Sequence, residues 1–149
     1  MPVRVQTEDF NLNTELETLR SGRLQAGAVT CFVGTVRDAN EGSMVQSMTL
    51  EYYPGMTERT LLEITDQACQ RFDIIDALVV HRVGRLLAGE QIVLVAVVGQ
   101  HRGPAFAACE FITDKLKTEA PFWKKETTAQ GERWVEARHS DLDALKKWD

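Results

Sequence analysis

The run QIVLVAVVG, from Gln91 to Gly99, constrains the fold more than any other part of the sequence. It is apolar at every position from Ile92 to Val98. A strand with one wet face alternates polar and apolar residues, whereas a strand covered on both faces reads as a continuous apolar run. The run is also far shorter than the ~20 residues that a membrane-spanning helix needs. We therefore expect a strand that anchors a sheet and is covered on both faces.

The spacing of apolar residues predicts two amphipathic helices in the first half of the chain. The pattern is clearest from Met56 to Phe72, where apolar residues recur every three or four positions and Thr57 is the expected N-cap. A shorter helix is expected in TELETLRSG. It begins with Thr14 and Glu17 in capping-box spacing and ends at Gly22.

Two prolines delimit a third helix. Pro104 suits the first turn of a helix, and Pro121 disfavours a helical conformation at Ala120. Lys117 therefore falls at the end of this helix. The side chains that we expect it to turn inward are Phe106, Cys109, Ile112 (or Phe111) and Leu116.

Strands are predicted from β-branched and apolar runs that polar, Gly-containing loops separate. They cover residues 27–36, 48–53, 74–84, 91–99, 121–126 and 132–137. The segment DLDALKKWD after them is expected to be a frayed or docking tail. The order α-β-β-α-β-β-α-β-β indicates the α+β class, and the lack of a repeat or linker indicates one domain over residues 1–149.

The charge balance narrows the classes of partner. A formal net charge of −5 argues against nucleic acid, because binding to a phosphate backbone is driven by clustered Lys and Arg. The N-terminal MPVRVQTEDF lacks the apolar region of a signal peptide, so we expect a cytoplasmic protein with no membrane partner. Any anion site in such an acidic chain is expected to be local.

The cysteines and two of the histidines give no sign of a metal site. Cys31, Cys69 and Cys109 are odd in number and widely spaced, so neither a disulfide framework nor a zinc site is indicated. Each lies in an apolar strand or an amphipathic helix and is expected to pack in the core. His81 and His139 have no partner at metal-ligand spacing. We expect no metal and no cofactor.

The segment QHRGPAF has the outline of an anion pocket. Its Gln100-His101-Arg102 ends a buried strand and leads through Gly103 directly into a helix. The N-terminus of a helix offers free N–H groups and the positive end of its dipole. Arg102 can grip an oxyanion with two parallel hydrogen bonds, and His101 can donate or shuttle a proton. The alternative is that Arg102 is a solvated charge and His101 an ordinary strand-end residue.

Arg37 is a second candidate because it lies where the strand CFVGTV gives way to a polar loop. A side chain that projects from the end of a rigid element is often functional. The alternative is an ordinary surface arginine.

The segment LKTEAPFWKKE carries the third candidate. Lys117 and Lys124 lie on different elements, joined by a turn that Pro121 imposes and that can bring both to one cleft. Neighbouring Phe122 and Trp123 are expected to lower the local dielectric, and a desolvated ammonium loses its proton more readily. Glu126 points to the same face of the strand as Lys124 and can hold it in place. The alternative is that these are ordinary exposed lysines at the ends of a helix and a strand.

Six segments together resemble the large, catalytic subunit of molybdopterin synthase: FVGTVRD, LEYYPGM, VVHRVG, QHRGPAF, LKTEAPFWKKE and GERWVEA. The resemblance runs from about Gly27 to Ala137, in order and with the expected gaps. Its most distinctive part is the block from Lys117 to Lys124 with Ala-Pro-Phe-Trp between them. The fold that the resemblance implies is an α/β hammerhead with an additional antiparallel β subdomain.

The resemblance implies a sulfurtransferase. Enzymes of this family convert cyclic pyranopterin monophosphate, or precursor Z, into molybdopterin by installing its dithiolene sulfurs. The sulfur arrives as a thiocarboxylate on the C-terminal Gly-Gly of a small ubiquitin-like subunit. A homodimer of large subunits forms the core of a heterotetramer, and no metal acts at this step.

The resemblance also implies roles for individual residues. Lys117 matches the family's catalytic lysine, and Lys124 matches its second active-site lysine. The residues that match positions assigned to the substrate are Arg37, His101 and Arg102, with Lys125 and Glu126 completing the motif. A cluster of lysines would let a negative thiocarboxylate tail meet a negative substrate.

Two other functions remain open from the sequence. A non-catalytic adaptor would bind an acidic C-terminal tail or a phosphorylated ligand through the same basic cleft. An acyl-transfer enzyme would use a lysine without a carrier protein. Replacing Lys117 distinguishes them, because only an enzyme loses product formation while it keeps its partner.

Overall fold

The computed structural model of the protein describes residues 2–40, 43–135 and 139–149. In the first half of the chain its elements are β1 (Val3–Gln6), α1 (Leu12–Arg20), β2 (Ala28–Thr35), β3 (Ala39–Asn40), β4 (Ser43–Tyr52) and α2 (Met56–Arg71). In the second half they are β5 (Asp76–Arg82), β6 (Gly84–Leu87), β7 (Gln91–Gly99), α3 (Arg102–Glu119), β8 (Phe122–Thr128), β9 (Gly131–Val135), α4 (His139–Leu145) and a final 3-10 turn (Lys146–Trp148).

The apolar run at β7 lies inside a four-stranded mixed sheet of order β1-β5-β7-β2. Both of its neighbours are antiparallel to it, and β1 pairs in parallel with β5. Val93, Val95 and Val97 pack against α2 and α3, while Leu94 and Ala96 face α1. The strand is therefore covered on both faces, as its composition predicts.

A second, antiparallel sheet is built on β4. This strand pairs with β8 and with β6, while β3 and β9 extend the sheet. Its apolar face includes Met48, Leu50 and Leu86, which form a separate buried cluster. The mixed sheet with its helices and the added antiparallel sheet confirm the predicted α+β class.

The helix α3 connects the two sheets and ends where the sequence predicts. Ala120, the residue before Pro121, has extended backbone angles of φ −74° and ψ 131°. The buried stripe of the helix contains Ala105, Ala108, Cys109, Phe111, Ile112 and Leu116. The prediction that Phe106 points inward is wrong, since its side chain is 63% exposed. One residue turns the helix by about 100°, which carries Phe106 away from the stripe that Ala105 begins.

Both predicted N-caps are wrong by a few residues. The first helix is capped by Asn11, whose side-chain oxygen accepts a hydrogen bond from the Thr14 amide at 3.0 Å. The second begins after Gly55, at a φ of 87° that favours glycine. Thr57 lies inside that helix, and its hydroxyl donates to the Pro121 carbonyl at 3.0 Å. The hydroxyl thus ties α2 to the start of β8.

The C-terminal segment docks against the helices. Trp148 packs edge-on against Phe72 and Phe111, and its indole N–H donates to Asp114 at 2.8 Å. Of the two alternatives expected for this tail, frayed or docked, the structure shows the docked one. Strands β1, β3 and β6 were not predicted from the sequence, while Glu136 and Ala137 of the last predicted strand lie outside the described residues. Among the helices that the structure describes, none is long and apolar enough to cross a membrane.

Candidate active site

A cavity of about 450 Å³ lies where the two sheets meet. The end of β2, the last turn of α3, the first residues of β8 and the beginning of α4 form its walls. Phe32, Phe122 and Met48 supply apolar lining. The cavity is therefore assembled from segments that are distant in sequence but adjacent at the junction of the sheets.

Three cationic side chains line this cavity: those of Lys117, Lys124 and Arg37. Lys117 comes from the last turn of α3, and Lys124 follows the Pro121 turn on β8. Arg37 is the second residue after β2 ends. The structure thus brings together the two lysines of LKTEAPFWKKE and the arginine after CFVGTV. A locally positive cavity of this kind suits anionic ligands.

The two lysines differ in environment. Burial lowers the pKa of Lys124, and the positive charge of Lys117 lowers it further, while Asp141 and Glu126 act in the opposite direction. Lys117 is exposed, and its Nζ lies 5.8 Å from the centroid of the Phe32 ring. Burial therefore makes Lys124 the readier proton donor of the two lysines. Lys117, in contrast, presents its charge at the opening of the cavity.

Strand alternation divides the residues of β8 between two faces. Lys124 and Glu126 face the cavity, whereas Trp123 and Lys125 face the other side. The Lys125 Nζ lies 3.5 Å from the Glu132 carboxylate and 5.4 Å from the centroid of the Trp134 ring. The expectation that Trp123 lowers the dielectric beside the lysines is therefore wrong, whereas Phe122 does line the cavity. The structure does not bring Lys125 into the cavity.

Glu126 is buried and is held by an arginine that the sequence reasoning missed. Its Oε1 accepts a hydrogen bond from Nε of Arg133 at 3.1 Å and lies 3.1 Å from Nη2 of the same residue. The two residues are direct partners across β8 and β9. Aligning the predicted hairpin on its Gly131 turn would have placed these opposite charges side by side.

His101 and Arg102 line a different depression, together with Gly27, Gln100 and Gly103. His101 is the N-cap residue of α3 and Arg102 its first residue. Both side chains are exposed. Because Lys117 is fifteen residues further along the helix, it lies ~22 Å from Arg102 along the axis. Within one chain, the structure does not bring these two residues to the lysine cavity.

His81 lines the cavity although nothing in its sequence spacing marked it. It is buried in β5, and its ring stacks on that of Phe122, with centroids 3.8 Å apart and planes 18° apart. Burial lowers the pKa of His81 to about 4; the charges of Lys124 and Lys117 contribute in the same direction. The sequence does contain a signal for this residue, since His81 interrupts the apolar run LVVHR of a predicted strand.

The cysteines do not line the cavity within the described residues. Cys109 is buried as expected, and burial raises the pKa of its thiol to about 11. The expectation of core packing is wrong for Cys31 and Cys69, which are both exposed. Cys31 lies on edge strand β2, on the face opposite to buried Thr30. Cys69 is turned about 100° from buried Ala68 on α2.

Alkylation with iodoacetamide at neutral pH is expected to modify Cys31 first, Cys69 more slowly and Cys109 only after unfolding. Burial and the nearby Asp76 and Asp66 raise the pKa of Cys69, and the thiolate is the reactive form. Peptide mass spectrometry over time measures the order. Equal rates for all three cysteines in urea are the control, and fast labelling of Cys109 in the folded protein would contradict the expectation.

The described residues contain no group of three or more His, Cys, Asp or Glu side chains placed to hold a metal ion. The ionisable side chains that line the cavity are those of Lys117, Lys124, Arg37, Glu126, Asp141 and His81.

Comparison with known proteins gives a consistent result. The family model described as MoaE protein matches residues 5–119. The molybdopterin synthase catalytic subunit of Ralstonia nicotianae is 64% identical over 146 residues, which cover 98% of this chain and 83% of that protein.

Solved structures agree with this match. The molybdopterin biosynthesis MoaE protein of Burkholderia ambifaria superimposes with a TM-score of 0.85 at 57% identity, covering 98% of this chain and 96% of that one. A complex of subunits 1 and 2 of the molybdopterin-converting factor of Helicobacter pylori contains a chain with a TM-score of 0.76 at 18% identity, covering 93% and 92%. At 18% identity, the likeness to the Helicobacter pylori chain shows a shared fold alone.

Proposed function

The chain belongs to the MoaE family, that of the molybdopterin synthase catalytic subunits, and we propose that its lysine cavity carries out sulfur transfer. A role in molybdopterin synthesis follows from this membership. In the proposed reaction, the C-terminal thiocarboxylates of two small ubiquitin-like subunits, one after the other, each give one sulfur to cyclic pyranopterin monophosphate, and water supplies the oxygen with which each tail leaves as a carboxylate. The product is the dithiolene of molybdopterin.

The observation that supports this proposal is the presence of Lys117, Lys124 and Arg37 in one cavity. The proposed reactants are both anions, a thiocarboxylate and a cyclic phosphate, and they repel one another in the absence of counter-charge. Three cations from three different segments of the chain offset this repulsion and cost no reorganisation at the moment of reaction. A formal charge of −5 over the whole chain makes so local a positive site a specific feature.

The two lysines have different proposed tasks. Lys117 at the opening offsets charge on the incoming tail and on the oxyanion that forms when water adds to the thioester joining the tail to the substrate and releases the tail as a carboxylate. Lys124, whose pKa burial lowers, supplies a proton as sulfur replaces oxygen on the substrate. Arg37 binds phosphate oxygens through its planar guanidinium. Glu126 acts through Arg133 and through its charge on Lys124. Lys125 does not line the cavity and is given no task in it.

We propose that His101 and Arg102 hold the phosphate and pterin of the substrate, as the family resemblance implies. Their distance of ~22 Å from Lys117 along α3 is too long for one small molecule to bridge. If they act on the same substrate, a second copy of the chain supplies them. The homodimer at the core of a heterotetramer is therefore part of the proposal.

The partner is part of the proposal as well. The Helicobacter pylori protein that shares this fold was solved as a complex of two subunits. An extended Gly-Gly tail suits a narrow cavity because glycine allows close backbone approach. We propose that the assembly works in the cytoplasm and needs no metal at this step.

Incubation with a thiocarboxylated small subunit and cyclic pyranopterin monophosphate tests this function. Mass analysis is expected to find a dithiolene pterin and a small subunit that ends in an ordinary carboxylate. The matched control is the same small subunit without the thiocarboxylate sulfur, which gives no product. Binding of the thiocarboxylated subunit without any pterin product would instead favour a non-catalytic adaptor.

A further inference from the structure

The wall of the lysine cavity contains an aromatic pair, His81 stacked on Phe122, whose two members come from different sheets. His81 belongs to β5, and its backbone is paired with Val5 of β1 on one side and Val93 of β7 on the other. Phe122 is the first residue of β8 in the antiparallel sheet. The stack is therefore a contact between a strand fixed on both edges and the strand that carries Lys124.

The orientation of the His81 ring is fixed by a hydrogen bond. Its Nδ1 lies 2.8 Å from the backbone carbonyl of Arg82. A carbonyl oxygen only accepts, so Nδ1 carries the proton and donates it. With Nδ1 held by the backbone and one face covered by Phe122, the imidazole has no freedom to turn without losing both contacts.

Burial, and to a lesser extent the positive charges of Lys124 and Lys117, favour an uncharged imidazole. Lys117 approaches from α3, Lys124 and Glu126 from β8, Arg37 from the end of β2 and Asp141 from α4. His81 is 4% exposed and its pKa is lowered to about 4, so the ring is neutral at pH 7. A neutral ring provides a packing surface without adding another cation to the cavity.

The fixed position of the Phe122 ring limits where the Lys124 side chain can lie. The two residues are two apart on β8, so both side chains lie on the cavity side of the strand. Phe122 also packs against the buried clusters of both sheets. Its ring is therefore one of the apolar groups that line the cavity with Lys124 and keep water from the ammonium, whose lowered pKa has burial as its largest cause.

We propose that His81 is a positioning residue of the sulfur-transfer site, whose stacked ring fixes Phe122 and thereby the placement and desolvation of Lys124. This inference rests on the proposed function for its role in catalysis, but the placement of Lys124 is measurable without any reaction. Displacing a catalytic group by about 1 Å can cost on the order of 10²-fold in rate.

Two substitutions separate the ring from the hydrogen bond. His81→Asn keeps an N–H donor for the Arg82 carbonyl but removes the ring. His81→Phe keeps a ring for Phe122 but removes the donor. We expect His81→Asn to lower kcat by ~10- to 100-fold with KM for the pterin little changed. We expect His81→Phe to retain most of the activity, even if it unfolds at a lower temperature. A purely structural role for the Arg82 hydrogen bond predicts the reverse order.

A second readout follows Lys124 directly. Lysines labelled by reductive ¹³C-methylation are titrated by NMR, and Lys124→Arg assigns the signal. In His81→Asn the midpoint of Lys124 is expected to rise toward the ordinary lysine value, because water reaches the ammonium. In His81→Phe it is expected to stay low. Failure of the sulfur-transfer assay with these titration results would refute the proposed function and leave the positioning of Lys124 supported.

Phe122→Leu provides the matched test from the other side of the stack. If His81 acts through Phe122, the double variant His81→Asn/Phe122→Leu has about the same kcat as each single variant. Additive losses would overturn the proposal. So would an unchanged Lys124 midpoint in His81→Asn. If His81→Phe does not fold, His81→Asn and Phe122→Leu decide the question, and full activity in either variant overturns it.

Discussion

Lys117→Ala is expected to lower the rate of dithiolene formation by on the order of 10²- to 10³-fold, the usual cost of removing one preorganised electrostatic contact. Lys117 is an exposed residue that lines the cavity, and we propose that the two anions meet beside its ammonium. Its loss leaves Lys124 and Arg37 to offset their charge alone. Affinity for the small subunit is expected to change little, because most of a protein interface lies outside any single side chain. Single-turnover mass analysis measures the rate, and titration calorimetry measures the affinity.

Lys115→Ala is the matched control for this prediction. Lys115 lies on the same helix, pairs with Glu119 at 3.2 Å and does not line the cavity. Such an i,i+4 pair contributes only about 0.3–0.5 kcal/mol, so rate and stability are expected to stay near those of the unchanged protein. A Lys117→Ala variant that loses affinity but keeps its turnover rate would contradict the sulfurtransferase and support an adaptor.

The parts of the fold that the sequence predicts are those in which one pattern extends over many residues. The run at β7 and the helix at α2 each repeat their signal for nine residues or more, so local and tertiary preferences agree. The strand β6 has only four residues, and β1 also has four; both are set by their partners β4 and β5. Strands this short carry too few residues for periodicity to register.

The part of the site that could be predicted is the part whose residues lie close together in the sequence. Lys117 and Lys124 are seven residues apart across a proline, so a turn that brings them together follows from the chain itself. His81 reaches the same cavity only because β5 and β8 meet in space, 41 residues apart in the sequence. The separation of Arg102 from Lys117, in contrast, was available from the length of the predicted helix at ~1.5 Å per residue.

His81 is also expected to make the stability of the protein depend on pH between about 6.5 and about 4. Its pKa is about 4 in the folded protein and ~6.5 in an unfolded chain. In that interval the unfolded chain therefore binds more protons. The contribution of the neutral ring is present above pH ~6.5 and is lost as pH falls through the folded pKa.

The size and the test of this effect follow from the difference between the two pKa values. A difference of ~2.5 units corresponds to a loss of about 3 kcal/mol in the free energy of unfolding over the interval. Urea unfolding between pH 7 and pH 4 measures it, and His81→Asn is expected to unfold with a pH slope shallower by that amount. Parallel slopes for the unchanged protein and His81→Asn would mean that the buried imidazole is protonated in the folded state, since only a ring that stays neutral while the unfolded chain takes up a proton produces this dependence.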